Sequence, residues 1–151
     1  MKVYHKGYSK GETLENNTRN STHGVGYYVY KNLKACEEHM SSNSKIYAYD
    51  LQNGTYLLEG KFDFLHSLKG IDFNTEEFKK SPFNNIIDKL AVSSKFRNLP
   101  LAQARLACSN YLKSIGIDGI AFYQSGSLAF CIFNKNKLSN EELLKEDYFP
   151  Y

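Results

Sequence analysis

The sequence predicts an α+β fold in one domain spanning residues 1–151, and three observations carry that reading. Short runs rich in aromatic and β-branched residues, such as Tyr27–Tyr30 and Leu128–Phe133, have strand character. Lys45-Ile46-Tyr47-Ala48-Tyr49-Asp50-Leu51 alternates like a half-buried strand, and Asn53-Gly54 before Thr55–Leu58 is a hairpin signal, so the middle reads as antiparallel sheet. Leu101–Ile115 carries an apolar stripe at helical spacing, through Ala104, Ala107, Cys108, Tyr111 and Leu112.

In chain order, Lys2-Val3-Tyr4-His5 reads as a first strand that ends on His5. Gly7 to His23 is polar and rich in Asn, Ser, Thr and Gly, and so reads as a long loop, a length that in a small domain marks function or motion. The Tyr27–Tyr30 strand follows, then a helix over Leu33–Met40 with Asn32 as its N-cap. Between Phe62 and Asn98 the apolar residues Phe78, Ile86, Ile87, Leu90 and Val92 suggest short helices, interrupted by Gly70 and Pro82. Pro100 opens the long helix and Gly116 stops it, because Pro suits a first turn and Gly suits the residue after the last. Ile117–Tyr123 and Leu128–Phe133 form a terminal hairpin around Gln124-Ser125-Gly126-Ser127, and Leu138–Tyr151 reads as one short helix and a loose end.

Composition removes several classes of function. A chain of 151 residues buries a core without staples, and three cysteines, odd in number and without metal-type spacing, point to a reducing compartment. No apolar segment approaches a membrane span and residues 1–6 lack a leader's apolar core, which predicts a cytoplasmic protein without a membrane partner; a monomer is expected. The net charge of +3 is spread among acids, so no basic stripe announces nucleic acid, although a modest patch stays compatible with it. Twelve Tyr and ten Phe without Trp supply flat faces that stack on rings or fill a β-rich core. Cys36-x-x-His39 places two ligand types on one helical face, with His5 or His23 as further donors, but the spacing is permissive and no metal is expected.

The chain is organised around Gly24-Val25-Gly26-Tyr27-Tyr28-Val29-Tyr30. The glycine pair permits a tight turn or a close approach of backbone to a ligand. A dinucleotide fingerprint would need a third glycine where Val29 stands, followed by a helix rather than a strand, so a Rossmann reading fails. A His on the first strand, a Gly-x-Gly-Tyr-Tyr strand leading into a helix, and a late helix followed by Gly116-Ile117-Asp118-Gly119-Ile120 and a hairpin together resemble the ADP-ribosyltransferase superfamily, in its diphtheria-toxin and poly(ADP-ribose) polymerase-like branch. The resemblance runs from Tyr4 to Leu138 and rests on the order of short motifs.

That resemblance implies split antiparallel sheets with flanking helices, NAD as ADP-ribose donor in a cleft between them, and mono-ADP-ribosylation of a macromolecular target, a protein. His5 then contacts the adenosine ribose, as an imidazole bonds a hydroxyl without needing charge. Lys6 stands where the family has a glycine whose backbone holds the carboxamide. Gly26, Tyr27 and Tyr28 form the Gly-x-Tyr strand, with Tyr28 stacking on nicotinamide. His39 provides the second ring eleven residues later, and Cys36 takes the place of the small helix residue that bonds the carboxamide.

The family's catalytic Glu aligns with Ala129, which cannot stabilise the developing oxocarbenium charge. Three explanations follow: single transfer without the Glu; a substitute from Gln124, Ser125 or Ser127 in the turn, or from Glu37 or Glu38; or an inactive site kept for binding NAD, ADP-ribose or a protein partner. His5, Tyr28 and Gln124 are the expected catalytic set. The compact length and early His also resemble small phage or bacterial effectors of this fold that disable a partner, including anti-CRISPR transferases.

Overall fold

The computed structural model describes residues 1–7, 23–38, 45–55, 57–59, 86–93, 96–124 and 126–146. Among them are seven strands in one mixed sheet: β1 (Lys2–Gly7), β2 (Tyr27–Tyr30), β3 (Lys45–Leu51), β4 (Leu57–Glu59), β5 (Gly119–Gln124), β6 (Ser127–Ile132) and β7 (Leu138–Glu146), in the order β4-β5-β6-β2-β1-β3-β7. Only the β4–β5 pair is parallel. Among the described residues three helices accompany the sheet: α1 (Leu33–Glu38), α2 (Ile86–Ser93) and α3 (Leu101–Ser114).

The two-residue strand period sorts the side chains into two cores. Ile46, Ile120, Ala129, Cys131 and Phe133 join Leu90, Cys108 and Leu112 of the helices on one face, while Val3, Val29, Tyr47, Tyr49, Phe130 and Ile132 cluster on the other. The apolar stripe of α3 therefore meets the sheet as its spacing predicts. Pro100 precedes the helix, and Gly116 follows it at φ +92°, a conformation that glycine adopts at no steric cost. Asn32 caps α1, its Oδ1 accepting from the Lys34 N–H at 2.8 Å.

The registers align one cross-sheet row: Phe122, Ala129, Tyr30, Tyr4 and Ala48 are successive partners from β5 to β3. Between β1 and β2 the ladder narrows to the single pair Tyr4–Tyr30, whereas β1 and β3 pair from Lys2–Asp50 to Gly7–Lys45. The sheet is joined most thinly at the β1–β2 junction.

Three expectations are corrected. His5 does not end its strand: β1 runs on to Gly7, held by β3. Asn53-Gly54 does turn the chain, with the Thr55 N–H on Gln52 O at 3.3 Å, but β4 does not fold back along β3 and pairs instead with β5. The reason lies in the backbone, since a type I′ hairpin needs positive φ at both central residues and here only Gly54 has it, at +79°. The segment after Leu138 is a strand, not a helix. Asn134 caps a 3₁₀ turn at Lys135–Lys137 that delivers the chain to the edge of β3, where sheet pairing overrides the helical propensity of Glu141-Glu142-Leu143-Leu144. The long polar loop and most of the region from Phe62 to Asn98 lie outside the described residues; within that region the described segment Ile86–Ser93 is a helix, as expected.

Candidate functional site

Of the residues singled out in the sequence, His5 and Lys6 lie on β1, Gly26 just before β2, and Tyr27 and Tyr28 on it. His5 is 4% exposed, and its Nδ1 lies 2.8 Å from the Tyr28 carbonyl oxygen. A carbonyl only accepts, so Nδ1 carries the hydrogen and, in the neutral ring, Nε2 is the acceptor. The contact is to the backbone of Tyr28. Register pairs His5 with Tyr47, a residue of the second core, whereas the Tyr28 ring packs on the first.

Tyr28 is the clasp of the glycine turn. Its hydroxyl donates to Gly24 O at 2.6 Å and accepts from the His23 N–H at 3.2 Å, and its ring meets Phe122 edge-on at 5.8 Å. Burial pushes the phenol's pKa up, with the Cys131 thiol beside it working the same way, so the group stays a neutral donor. Tyr27 faces the second core, and Gly26 serves strand approach: a Cβ there would lie 2.4 Å from Ile132 O. Cys36 is fully buried, and its thiol is pushed up to about 12 by desolvation against the opposing pull of Lys6. His39 lies outside the described residues.

Ala129 is 1% exposed between its partners Phe122 and Tyr30, so the position aligned with a catalytic carboxylate sits in an aromatic frame. Gln124 shares this face two residues along β5 from Phe122, with the Tyr30 hydroxyl donating to its Oε1 at 3.4 Å. The structure thus brings Gln124, Tyr30 and Ala129 together and sets them apart from the His5 ring.

A network that the sequence reading missed lies behind the glycine turn. Asp88 of α2 receives two hydrogen bonds from Arg105 of α3, Nε at 2.7 Å and Nη2 at 2.9 Å. Ser109 Oγ donates to Arg105 O and accepts from the Val25 N–H, tying α3 to the turn. His23 stacks flat on Phe122, centroids 3.7 Å apart and planes within 2°. The available signal was an acid and an arginine set within apolar helical stripes, at Asp88 after Ile86-Ile87 and at Arg105 after Ala104.

Burial lowers the pKa of His23 from 6.5, with Arg105 reinforcing and Asp88 opposing. Its neutral form therefore belongs to the folded state. Below pH 6.5 the unfolded chain takes up the proton more readily, so stability falls as pH drops through that value toward the lower folded pKa and is independent of His23 above it. Urea midpoints measured between about pH 7.5 and 5.5 should decline less in His23→Gln than in the parent. Equal declines would exclude the stacked imidazole as the source.

Among the described residues, no group of three or more His, Cys, Asp or Glu forms a metal site, and no helix is long and apolar enough to cross a membrane. A scan against protein-family models and a search of curated proteins find no match to the chain.

Proposed function

We propose that the chain is an ADP-ribosyltransferase-type domain that takes NAD as donor and passes a single ADP-ribose to a protein. The observation that carries the reading is the His5–Tyr28 contact. A first-strand histidine is held by the carbonyl of the Gly-x-Tyr strand, at the junction where β1 and β2 share one register pair, with α1 directly downstream.

The residues fit NAD in part. His5, with Nδ1 committed to a carbonyl, has in Nε2 an acceptor of the kind that bonds a ribose hydroxyl, although that nitrogen is buried in this structure and a ligand reaches it only by displacing its cover, and Lys6 next to it carries a backbone suited to a carboxamide. When bound, NAD supplies the ADP-ribosyl group, with nicotinamide as the leaving group. Tyr28 orients His5 through its carbonyl rather than presenting its ring, and Gln124 beside Tyr30 is a polar side chain on the same face of the sheet as the missing carboxylate.

Ala129 and Cys36 do not fit a fully equipped site. An alanine enclosed by Phe122 and Tyr30 supplies no charge, and a buried, protonated thiol is a poor carboxamide partner. These two residues favour a second reading, a non-catalytic module that holds NAD, ADP-ribose or a protein with the same scaffold.

The two readings separate in one experiment. Purified protein is incubated with isotope-labelled NAD and cell extract, and both products and protein masses are followed by mass spectrometry beside His5→Gln and Gln124→Ala, each checked for fold by circular dichroism. The transferase reading expects a target that gains one ADP-ribose, with the signal reduced at least about tenfold in folded His5→Gln, the scale of a lost hydrogen bond at a reacting ligand. Neither transfer nor nicotinamide release from the folded parent would overturn it. Saturable NAD binding without turnover would then support the module.

A further inference from the structure

We propose that the cleft at the tip of the β5–β6 hairpin binds a small phosphate monoester. The cleft has a volume of ≈ 430 Å³, within the size class of small-molecule sites, and is open to solvent. It is bounded by Tyr4 of β1, by Lys31, Asn32 and Leu33 at the β2–α1 turn, and by Ser127 and Leu128 at the start of β6. It shares no residue with the His5, Tyr28 and Cys36 set, so the inference stands independently of the transferase reading.

The chemistry of the lining selects the ligand. Among the described residues that line it, Lys31 is the charged one and none is a carboxylate, so the local field of these residues favours an anion. Its polar side chains are rich in donors: the ammonium of Lys31, the phenol of Tyr4, the hydroxyl of Ser127 and the amide of Asn32. Asn32 is oriented for this, because its Oδ1 already accepts the Lys34 N–H at 2.8 Å and Nδ2 is the group that remains.

Several donors around one compact point charge match a tetrahedral phosphoryl group with three terminal oxygens. A carboxylate has two oxygens in a plane and is best met by the planar fork of arginine, which none of the described lining residues supplies. Leu33 and the Tyr4 ring, which pack on the same core, supply an apolar wall for the organic part of a monoester. The walls are also fixed to one another, since the Lys31 N–H donates to Leu128 O at 3.1 Å and Tyr4 pairs with Tyr30. The backbone of these walls is thus set before binding, and what remains to be ordered is chiefly the exposed Lys31 side chain.

The test is a ¹⁵N-edited NMR titration of the full chain with phenyl phosphate, benzoate and inorganic phosphate. Phenyl phosphate should saturably shift the amides of Lys31, Asn32 and Ser127; inorganic phosphate should shift the same amides with weaker affinity, and benzoate less than either. Lys31→Gln should weaken phenyl phosphate about tenfold or more, the effect of losing one charged hydrogen bond, while Lys34→Gln, the neighbouring exposed lysine, should bind as the parent does. Both lysines are exposed, so both variants keep the fold. Equal affinity of Lys31→Gln and the parent, an equal loss in Lys34→Gln, or benzoate binding as tightly as phenyl phosphate would overturn the proposal. A phosphoserine peptide that outcompetes phenyl phosphate would replace the small ligand with a protein one. None of these outcomes bears on NAD, so failure here and failure of the transferase reading are separately visible.

Discussion

Asp88→Ala is expected to destabilise the protein by about 3–5 kcal/mol, the range for removing one partner of a buried ion pair. The Asp88 side chain is 3% exposed and that of Arg105 11%, and the two meet in a bidentate fork. Truncating the acid leaves a guanidinium that cannot lose its proton and has little access to water. The damage extends beyond α2 and α3, because the Arg105 carbonyl holds Ser109, and Ser109 holds Val25 in the glycine turn. For a domain of ordinary stability, about 5–15 kcal/mol, such a loss is a large share of the whole. Denaturant unfolding of Asp88→Ala measures it, and Asp88→Leu combined with Arg105→Met separates charge from packing. The double variant should recover most of the stability, since the desolvation cost of both ions disappears with them. A single variant within about 1 kcal/mol of the parent would mean that the pair is effectively solvated.

How much of this was legible in the sequence depends on the range of the interaction involved. Asn32 as a cap, Pro100 and Gly116 around the long helix, and the hairpin around Gly126 are local, and the structure has them within a residue or two. The partner of β4 was not local. The Asn53-Gly54 pair advertises a reversal, but whether the following strand returns to β3 depends on the φ of Asn53 and on the competing edge of β5. The strand β7 was hidden for a related reason: Glu141-Glu142-Leu143-Leu144 has helical propensity, and only the vacant edge of β3 makes it a strand.

The candidate site divides along the same line. His5 and Tyr28 were assigned by resemblance to two parts of one cleft, but that they meet through a carbonyl while their rings face opposite cores follows from register, which no single strand reveals. The Asp88–Arg105 pair joins residues seventeen apart on two helices and leaves no motif at all. Ala129 shows the limit from the other side. The resemblance puts an alanine where it implies a carboxylate, but only the row through Phe122 and Tyr30 shows that an aromatic frame closes around that position.

Gly26→Ala should cost about 3 kcal/mol, the upper end for overpacking a tightly packed site. The added Cβ would lie 2.4 Å from Ile132 O and 3.0 Å from Ile132 C, both main-chain atoms of the neighbouring strand. Neither can move as a side chain would, so β2 must draw away from β6. On the other side of β6, Gly119 is under the same constraint, its Cβ position 2.3 Å from Cys131 O, so β6 is gripped between two glycines at consecutive residues of its own backbone. Gly54→Ala is the matched control. It has φ +79° and nothing within 4 Å of its Cβ position, so it carries only backbone strain, about 1 kcal/mol. The ranking decides what the glycine before Tyr27-Tyr28 is for. If Gly26 exists to admit a ligand, Gly26→Ala unfolds at the parent's denaturant midpoint and loses only NAD affinity. If it exists to seat β2 against β6, the midpoint falls well below that of Gly54→Ala. Any loss of NAD affinity then follows from displacement of the Tyr28 carbonyl that holds His5, and the hydrogen-bonded His5 Nδ1 proton, observable by NMR, should shift with it.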